Sequence, residues 1–368
     1  MSYLKLMIPG PVYVRPEVLN VMSSAPWGHR DSEETPKRVK PIKENLKKLL
    51  YIENTDYEII ISTSSATGLM EAAILNCVND EEGVLCVSIG AFGDLWHKIV
   101  ESCGRKGVKV SFEPGKAADL KVIEKYMKDE KFSAVTITHN ETSTGVINSV
   151  KEIAGVVKSY GALVMVDAVS SMAGVPIPVR DWNIDMIVSS TQKCFGLPPG
   201  LAVGAVSEEA MKKAETVKRK GTYFNFLAFR DSNLKEQTPT TPNEALIDAL
   251  NFQLNYILYE EGLENRFIRH SKLAQKVRDW IYKEHEGFKL FPSIDDASDT
   301  VTCIQHSPEL DKNFLKSELR ERGYLFDAGY RKLEKKGYYT FRIPTMGDLT
   351  EEILDDYLYS IDEIIRKI

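Results

Sequence analysis

Two spacings of apolar residues alternate along the first two thirds of the chain. Short continuous runs recur at Glu58–Thr63, Gly83–Ser88, Ala134–Thr138, Leu163–Val166, Met186–Val188 and Leu201–Val206. Runs of this length with no polar alternation predict strands buried on both faces, the signature of a parallel sheet. Lys109–Phe112 predicts a further strand. Between them the apolar positions fall three and four apart, as in Val39, Ile42, Leu46, Leu49 and Leu50. That spacing predicts helices over Thr35–Leu50, Leu69–Val78, a segment running to Cys103, Leu120–Met127 and Val150–Tyr160. Strands alternating with helices give an α/β unit: a mainly parallel sheet sandwiched by helices.

The flanks read differently. Residues 1–15 form an extended arm broken by Pro9 and Pro11, and Pro16 suits the first position of a short helix to Met22. Gly221–Pro242 has no period and is expected to be irregular. A helix from Asn243 to Glu261 pauses at Gly262, and a second runs to about Lys283. The remainder predicts strand Val301–His306, helix Phe314–Arg322, strands Tyr324–Phe326 and Tyr339–Ile343, and a final helix with Ile353, Tyr357, Ile361 and Ile364 on one face. The expected organisation is an arm (1–15), a large domain (16–259) and a smaller C-terminal α+β domain (260–368).

Composition narrows the function classes. With 368 residues, 43% hydrophobic and 27% charged, the chain can bury a large core. A net charge of −6 argues against a nucleic-acid partner. No apolar run is long enough to span a membrane, and the first residues lack the apolar region of a signal peptide. The five cysteines are scattered, without C-x-x-C spacing, and no H-x-x-x-H pair occurs. These features disfavour a disulfide scaffold and a metal site, and fit a reducing cytoplasm.

Candidate chemistry sits at strand ends. Lys193 follows the run Met186–Ser190 and precedes a turn through Gly196, Pro198, Pro199 and Gly200. Burial there lowers an amine pKa and frees a neutral nucleophile. Asp167 ends the run Leu163–Val166, where open α/β sheets bind ligands. A strand-end Lys with a strand-end Asp is the pair that pyridoxal 5'-phosphate requires: the amine bonds the cofactor and the carboxylate holds its ring proton. Ser65, Ala66 and Thr67 lie between a strand and a helix, a place suited to phosphate, with Thr67 also able to cap the helix. Arg342 stands alone among apolar and hydroxyl residues on a strand. It needs a partner, either a substrate carboxylate or an internal acid such as Asp348.

Asp167-Ala168-Val169-Ser170-Ser171, Ser190-Thr191-Gln192-Lys193, His139-Asn140-Glu141-Thr142-Ser143-Thr144-Gly145-Val146 and Pro9-Gly10-Pro11 together resemble the motifs of the class V aminotransferases of PLP fold type I. The alanine–glyoxylate/serine–pyruvate branch is the most similar. The resemblance implies that Phe92 stacks on the cofactor ring, Thr142 bonds its 3′-oxygen side and Val169 lies beside it. It also implies that Gln192 reaches the phosphate and Arg342 binds the substrate carboxylate. Gly28, in Trp27–Asp31, is placed near substrate. His139 and Glu141 are expected as loop scaffolding, with His139 a lesser candidate near the ring. The family forms homodimers with shared active sites, in which a Thr and a Tyr from residues 221–242 touch the partner's phosphate. Thr240 matches the Thr, whereas Gln237 stands where the Tyr is expected.

The implied activity moves the amino group of alanine or serine to glyoxylate or pyruvate. Phosphoserine or aspartate transamination is an alternative, since Ala328–Lys336 is rich in cations. A lyase or desulfurase is disfavoured because the late cysteine, Cys303, falls on a strand. A non-catalytic binding module of this fold would be expected to lack Lys193 or Asp167.

Overall fold

In the computed structural model, which describes residues 4–24, 26–285 and 287–367, the apolar runs pair into one seven-stranded sheet. In chain order its strands are β1 (Glu58–Ser62), β2 (Gly83–Ser88), β3 (Lys106–Ser111), β4 (Ala134–Thr138), β5 (Leu163–Asp167), β6 (Met186–Ser190) and β7 (Ala202–Val206). They lie side by side in the order β1-β7-β6-β5-β4-β2-β3. Every residue of β4, β5, β6 and β7 is buried, as their unbroken apolar character requires. β7 runs antiparallel to both of its neighbours, and the other pairings are parallel. Only residues 191–201 join β6 to β7, too few for a crossover helix, so the chain doubles back. At the outer edge, β3 exposes Lys106 and Lys109, charges that discourage further strand pairing.

The register sets the site. Ala202 lies opposite both Ser62 and Ser190, and Asp167 lies opposite Thr138 and Val188. The carboxyl ends of β1, β4, β5 and β6 therefore open on one rim, where ligands of such sheets bind.

Glu208–Thr216 and Arg331–Glu334 are helices that the sequence pattern did not indicate, and two departures lie close to the site. The helix after β1 begins at Ala66 rather than Leu69, with Ser65 in the extended N-cap position and no side-chain cap bond. Thr67 lies inside its first turn and does not cap it. Apolar spacing starts only at Leu69, but Phe224 packs over Gly68, where a Cβ would lie 2.6 Å from its ring. In the segment expected to be irregular, Phe226–Asn233 is helical and buries Phe226 and Phe229 one turn apart. Asn225 caps it, and the Asn76 side chain bonds both Phe224 O and Phe226 N. Two apolar positions before a polar end are too brief a period to reveal this helix in the sequence.

Beyond Glu244–Asn255 the helix loosens into a π-turn at Tyr256–Glu260, and Gly262 (φ +83°) redirects it into Leu263–Glu284. β8 (Val301–Gln305) and β9 (Thr340–Pro344) then pair antiparallel, with Lys289–Leu290 at the edge of β8. These strands and the helices Lys312–Glu321 and Glu351–Ile365 enclose an apolar cluster of their own, which includes Leu273, Trp280, Phe341 and Tyr357. The N-terminal arm belongs to it: Lys5–Met7 pairs in parallel with Tyr324–Phe326, and Met7 is buried there.

Candidate active site

Lys193 sits in a turn closed by its own backbone. Gly196 N donates to Lys193 O (2.9 Å), Leu197 N donates to Thr191 O (3.2 Å), and Thr191 Oγ1 donates to Pro198 O (2.7 Å). The Lys193 side chain is buried, and its Nζ donates to Pro9 O. Burial, and then the positive charge of Arg342, bring its pKa down to about 8. The arm crosses directly over this amine: a Cβ at Gly10 (φ +114°) would lie 2.6 Å from Nζ, and Val12 N donates to Gln192 O (3.2 Å). Pro9-Gly10-Pro11 was legible as a motif, but its contact with Lys193 was not.

Asp167 ends β5 on the neighbouring strand and is also buried. Its Oδ1 accepts from Val169 N (2.9 Å), the only hydrogen bond its carboxylate makes among the described residues. Burial and the nearby Glu141 raise its pKa to about 7, although Lys193 and the Val169 amide pull the other way. A buried carboxylate this short of donors suits a ligand that brings an N–H or a positive charge.

The loop after β4 carries the next residues. Thr142 Oγ1 donates to Ser170 Oγ (2.9 Å). Glu141, expected as scaffolding, organises more than its own loop. It accepts from Ser143 N (3.1 Å), Ser143 Oγ (2.6 Å), Phe92 N (3.0 Å) and Gly93 N (3.3 Å). Its carboxylate therefore anchors the first turn of helix Ala91–Ser102, favourably placed against the helix dipole, and fixes the half-buried Phe92. His139 is structural: it is buried, with Nδ1 3.0 Å from Ser171 Oγ and its ring edge-on to Trp182, and burial lowers its pKa to about 4.

Arg342 has an internal partner, but not Asp348. Its Nε and Nη2 donate to the two oxygens of Asp327 (2.9 Å each), and its Nη1 donates to Thr142 O (2.8 Å). Asp327 faces Arg342 through an antiparallel bridge that strand patterns did not reveal. Of the five guanidinium N–H groups three are engaged, which leaves one on each Nη for a carboxylate.

Ser65 and Thr67 are exposed at the helix start after β1, and the Ser65 hydroxyl makes no cap bond, so it and the Ala66 and Thr67 amides are free to hold an anion. Gln192 lies at the adjacent rim, its Oε1 accepting from Ser190 Oγ (2.6 Å). Gly28, Gln237 and Thr240 are not part of this buried group. They belong to a surface patch in which Arg30 donates to Gln237 Oε1 (3.2 Å) and Pro239 O (3.0 Å), and Thr238 Oγ1 donates to Thr240 O (2.8 Å). The patch adjoins the rim through Asn243 N, which donates to Thr63 Oγ1 (3.1 Å). Among the described residues, its chain neighbours aside, nothing lies within 4 Å of a Cβ built at Gly28.

The thiols nearest this chemistry are inert. Burial pushes Cys194 and Cys303 each up to about 12. Among the described residues no cluster of His, Cys, Asp or Glu could hold a metal ion, and no helix is long and apolar enough to cross a membrane.

Residues 17–332 match the family model for aminotransferase class V. The chain belongs to the class-V aminotransferases. It is 38% identical over 349 residues to an uncharacterized aminotransferase of Methanocaldococcus jannaschii, covering 93% of this chain and 87% of the relative. To serine–glyoxylate aminotransferase of Hyphomicrobium methylovorum it is 32% identical, covering 98% of this chain and 89% of the relative. Among solved structures, ureidoglycine–glyoxylate aminotransferase of Bacillus subtilis superposes with a TM-score of 0.90 at 27% identity, over 100% of this chain and 94% of that one. The enzyme is thus a transaminase of the α/β fold that its sheet and helices display, and its family implies pyridoxal 5'-phosphate.

Proposed function

We propose that this aminotransferase uses pyridoxal 5'-phosphate to move the amino group of a small amino acid, serine or alanine, to glyoxylate or a similar 2-oxo acid. The observation that carries the reading is a pair of buried groups at neighbouring strand ends: the Lys193 amine in the turn after β6 and the Asp167 carboxyl at the end of β5, which accepts one hydrogen bond. The donor set fits the cofactor. Lys193 would hold it through Nζ, and Asp167 would accept the ring N–H with the oxygen that Val169 leaves free. Phe92 and Val169 would flank the ring, and Thr142 would face its 3′-oxygen side. Ser65, Ala66, Thr67 and Gln192 would hold the phosphate.

Bound there, the cofactor supplies an electron sink that weakens the C–H bond at the substrate α-carbon. Arg342 orients the substrate by offering one N–H from each Nη to its carboxylate. Burial first, and the Arg342 charge second, hold the Lys193 pKa down to about 8, so a far larger fraction of Nζ is neutral near neutral pH than for an ordinary lysine, and that form can carry the proton from the α-carbon. Burial excludes water from that transfer. The names of the serine–glyoxylate and ureidoglycine–glyoxylate relatives support glyoxylate as acceptor.

Gly28, Gln237 and Thr240 fit a homodimer in which this surface patch reaches the partner's phosphate end, and Gly28 leaves room for substrate beside it. We place the boundary between the two domains at 259/260, within the π-turn. Unpaired cysteines suit a reducing cytoplasm. The test supplies the yellow, cofactor-loaded enzyme with serine and glyoxylate and measures glycine and hydroxypyruvate. Turnover of phosphoserine or aspartate in preference to serine and alanine would refute the substrate assignment.

A further inference from the structure

One buried guanidinium bonds the backbone just beyond Lys193 and in the turn after Asp167, and a carboxylate in the loop after Arg342. Arg266, in helix Leu263–Glu284, has no exposed surface. Its Nη2 donates to Cys194 O (2.5 Å), the carbonyl next to Lys193. Its Nε donates to Ala173 O (3.1 Å), in the turn that follows Asp167, and Ala173 holds a left-handed φ of +66°. Its Nη1 donates to Asp348 Oδ1 (2.9 Å), in the loop that follows Arg342 and β9, and to Glu261 Oε2 (2.7 Å) beside the π-turn.

Asp348 extends the connection. It accepts from Arg15 Nε (2.9 Å) at the base of the arm that covers Lys193, and from Gln253 Nε2 (2.8 Å). Its Oδ2 lies 2.9 Å from where a Cβ at Gly196 would stand, so the Lys193 turn rests on this carboxylate. Arg269 completes the group, donating to Glu261 Oε1 (2.7 Å), Gly347 O (3.0 Å) and Leu349 O (3.0 Å).

We propose that Arg266 is a positioning residue that fixes Lys193, Asp167 and Arg342 in one arrangement, acting through Cys194 O, Ala173 O and Asp348 without touching a reactant. The inference rests on the cofactor reading above. A buried ion pair contributes little net stability compared with well-packed apolar side chains. What this one supplies is geometry: four directed bonds from one planar group, three of them to segments distant in sequence and one to the nearby Glu261. A lysine has the charge but not the fork, so it can satisfy only part of the set.

The test compares Arg266→Lys with Arg105→Lys. Arg105 is also buried and bonds a carbonyl and a carboxylate (Val78 O and Asp80), but lies away from the rim. Melting temperature, amide exchange at residues 193–200, the pH at which the visible cofactor band titrates, kcat and KM are read for each. The expected result is that both variants lose melting temperature, while only Arg266→Lys exchanges faster at 193–200 and shifts the band titration. Its kcat should also fall by about tenfold or more, the scale of a misplaced reacting group. An Arg266→Lys protein with lower melting temperature but wild-type exchange, titration and kcat would overturn the proposal. If Arg266→Lys does not fold, Glu261→Leu, which has no acceptor and so removes one Arg266 bond, should produce the same changes at smaller size, and their absence would overturn the proposal. A wild-type enzyme that carries no cofactor on Lys193 after borohydride reduction would instead defeat the cofactor reading, and this proposal with it.

Discussion

Replacing Lys193 by Met should stabilise the cofactor-free protein near neutral pH, although it abolishes activity. The folded-state pKa of about 8 lies well below the ordinary 10.5, with burial as the main cause and Arg342 the second. At about 1.4 kcal/mol per unit, that difference places a cost of about 3 kcal/mol on the charged amine at pH 7. Met fills a similar volume without the charge, but leaves Pro9 O without its donor, a loss of about 1–2 kcal/mol. The expected net gain at pH 7 is about 1–2 kcal/mol. Between pH 8 and 10.5 the unfolded chain binds more protons at this lysine than the folded one, so the wild type gains stability as pH rises. The cost shrinks to about 1 kcal/mol at pH 10. Urea unfolding of both proteins from pH 7 to 10 measures the difference, and its closing by about 2 kcal/mol is the signature. The Pro9 term cancels from that change. A difference that stays flat across this range would show that the Lys193 amine is not depressed, and the catalytic reading of Nζ would lose its electrostatic basis.

Other consequences follow from single contacts. Arg342→Lys cannot keep both oxygens of Asp327 and a substrate carboxylate, so kcat/KM for the amino donor should fall about 100-fold, mostly through KM; steady-state kinetics with serine checks this. Gly10→Ala puts a methyl where Lys193 Nζ lies and strains a positive φ, so the protein should keep its far-ultraviolet dichroism but take up cofactor poorly, read as loss of the visible band after dialysis. Phe226→Ala empties a fully buried site in the helix that the sequence hid and should cost about 3–5 kcal/mol in urea unfolding, whereas a truly irregular segment would lose far less.

Much of the site was legible because its chemistry is local. Strand β5 ending in Asp167 and strand β6 leading to Lys193 are each set by a few consecutive residues, and a run of apolar side chains states its own burial. The same locality located Ser65–Thr67 at the junction of strand and helix, although the helix begins at Ala66 rather than after them. Arg342 was recognisable as a lone cation on a strand, but its partner was not: a bridge between Asp327 and Arg342 depends on how two separated strand segments align. The helix at Phe226–Asn233 was hidden for a related reason, since its stability comes from Asn76 and the core rather than from its own spacing.

The sequence by itself determined the alternation of strands and helices and, through its motifs, the family. Only the tertiary structure decided that the arm's Pro9 lies on the Lys193 amine, that Glu141 holds the helix bearing Phe92, and that Arg266 joins Cys194 O, Ala173 O and the Asp348 carboxylate. Each of those contacts links residues far apart in the chain. Their geometry comes from the packing of whole elements, and no local pattern of residues encodes it.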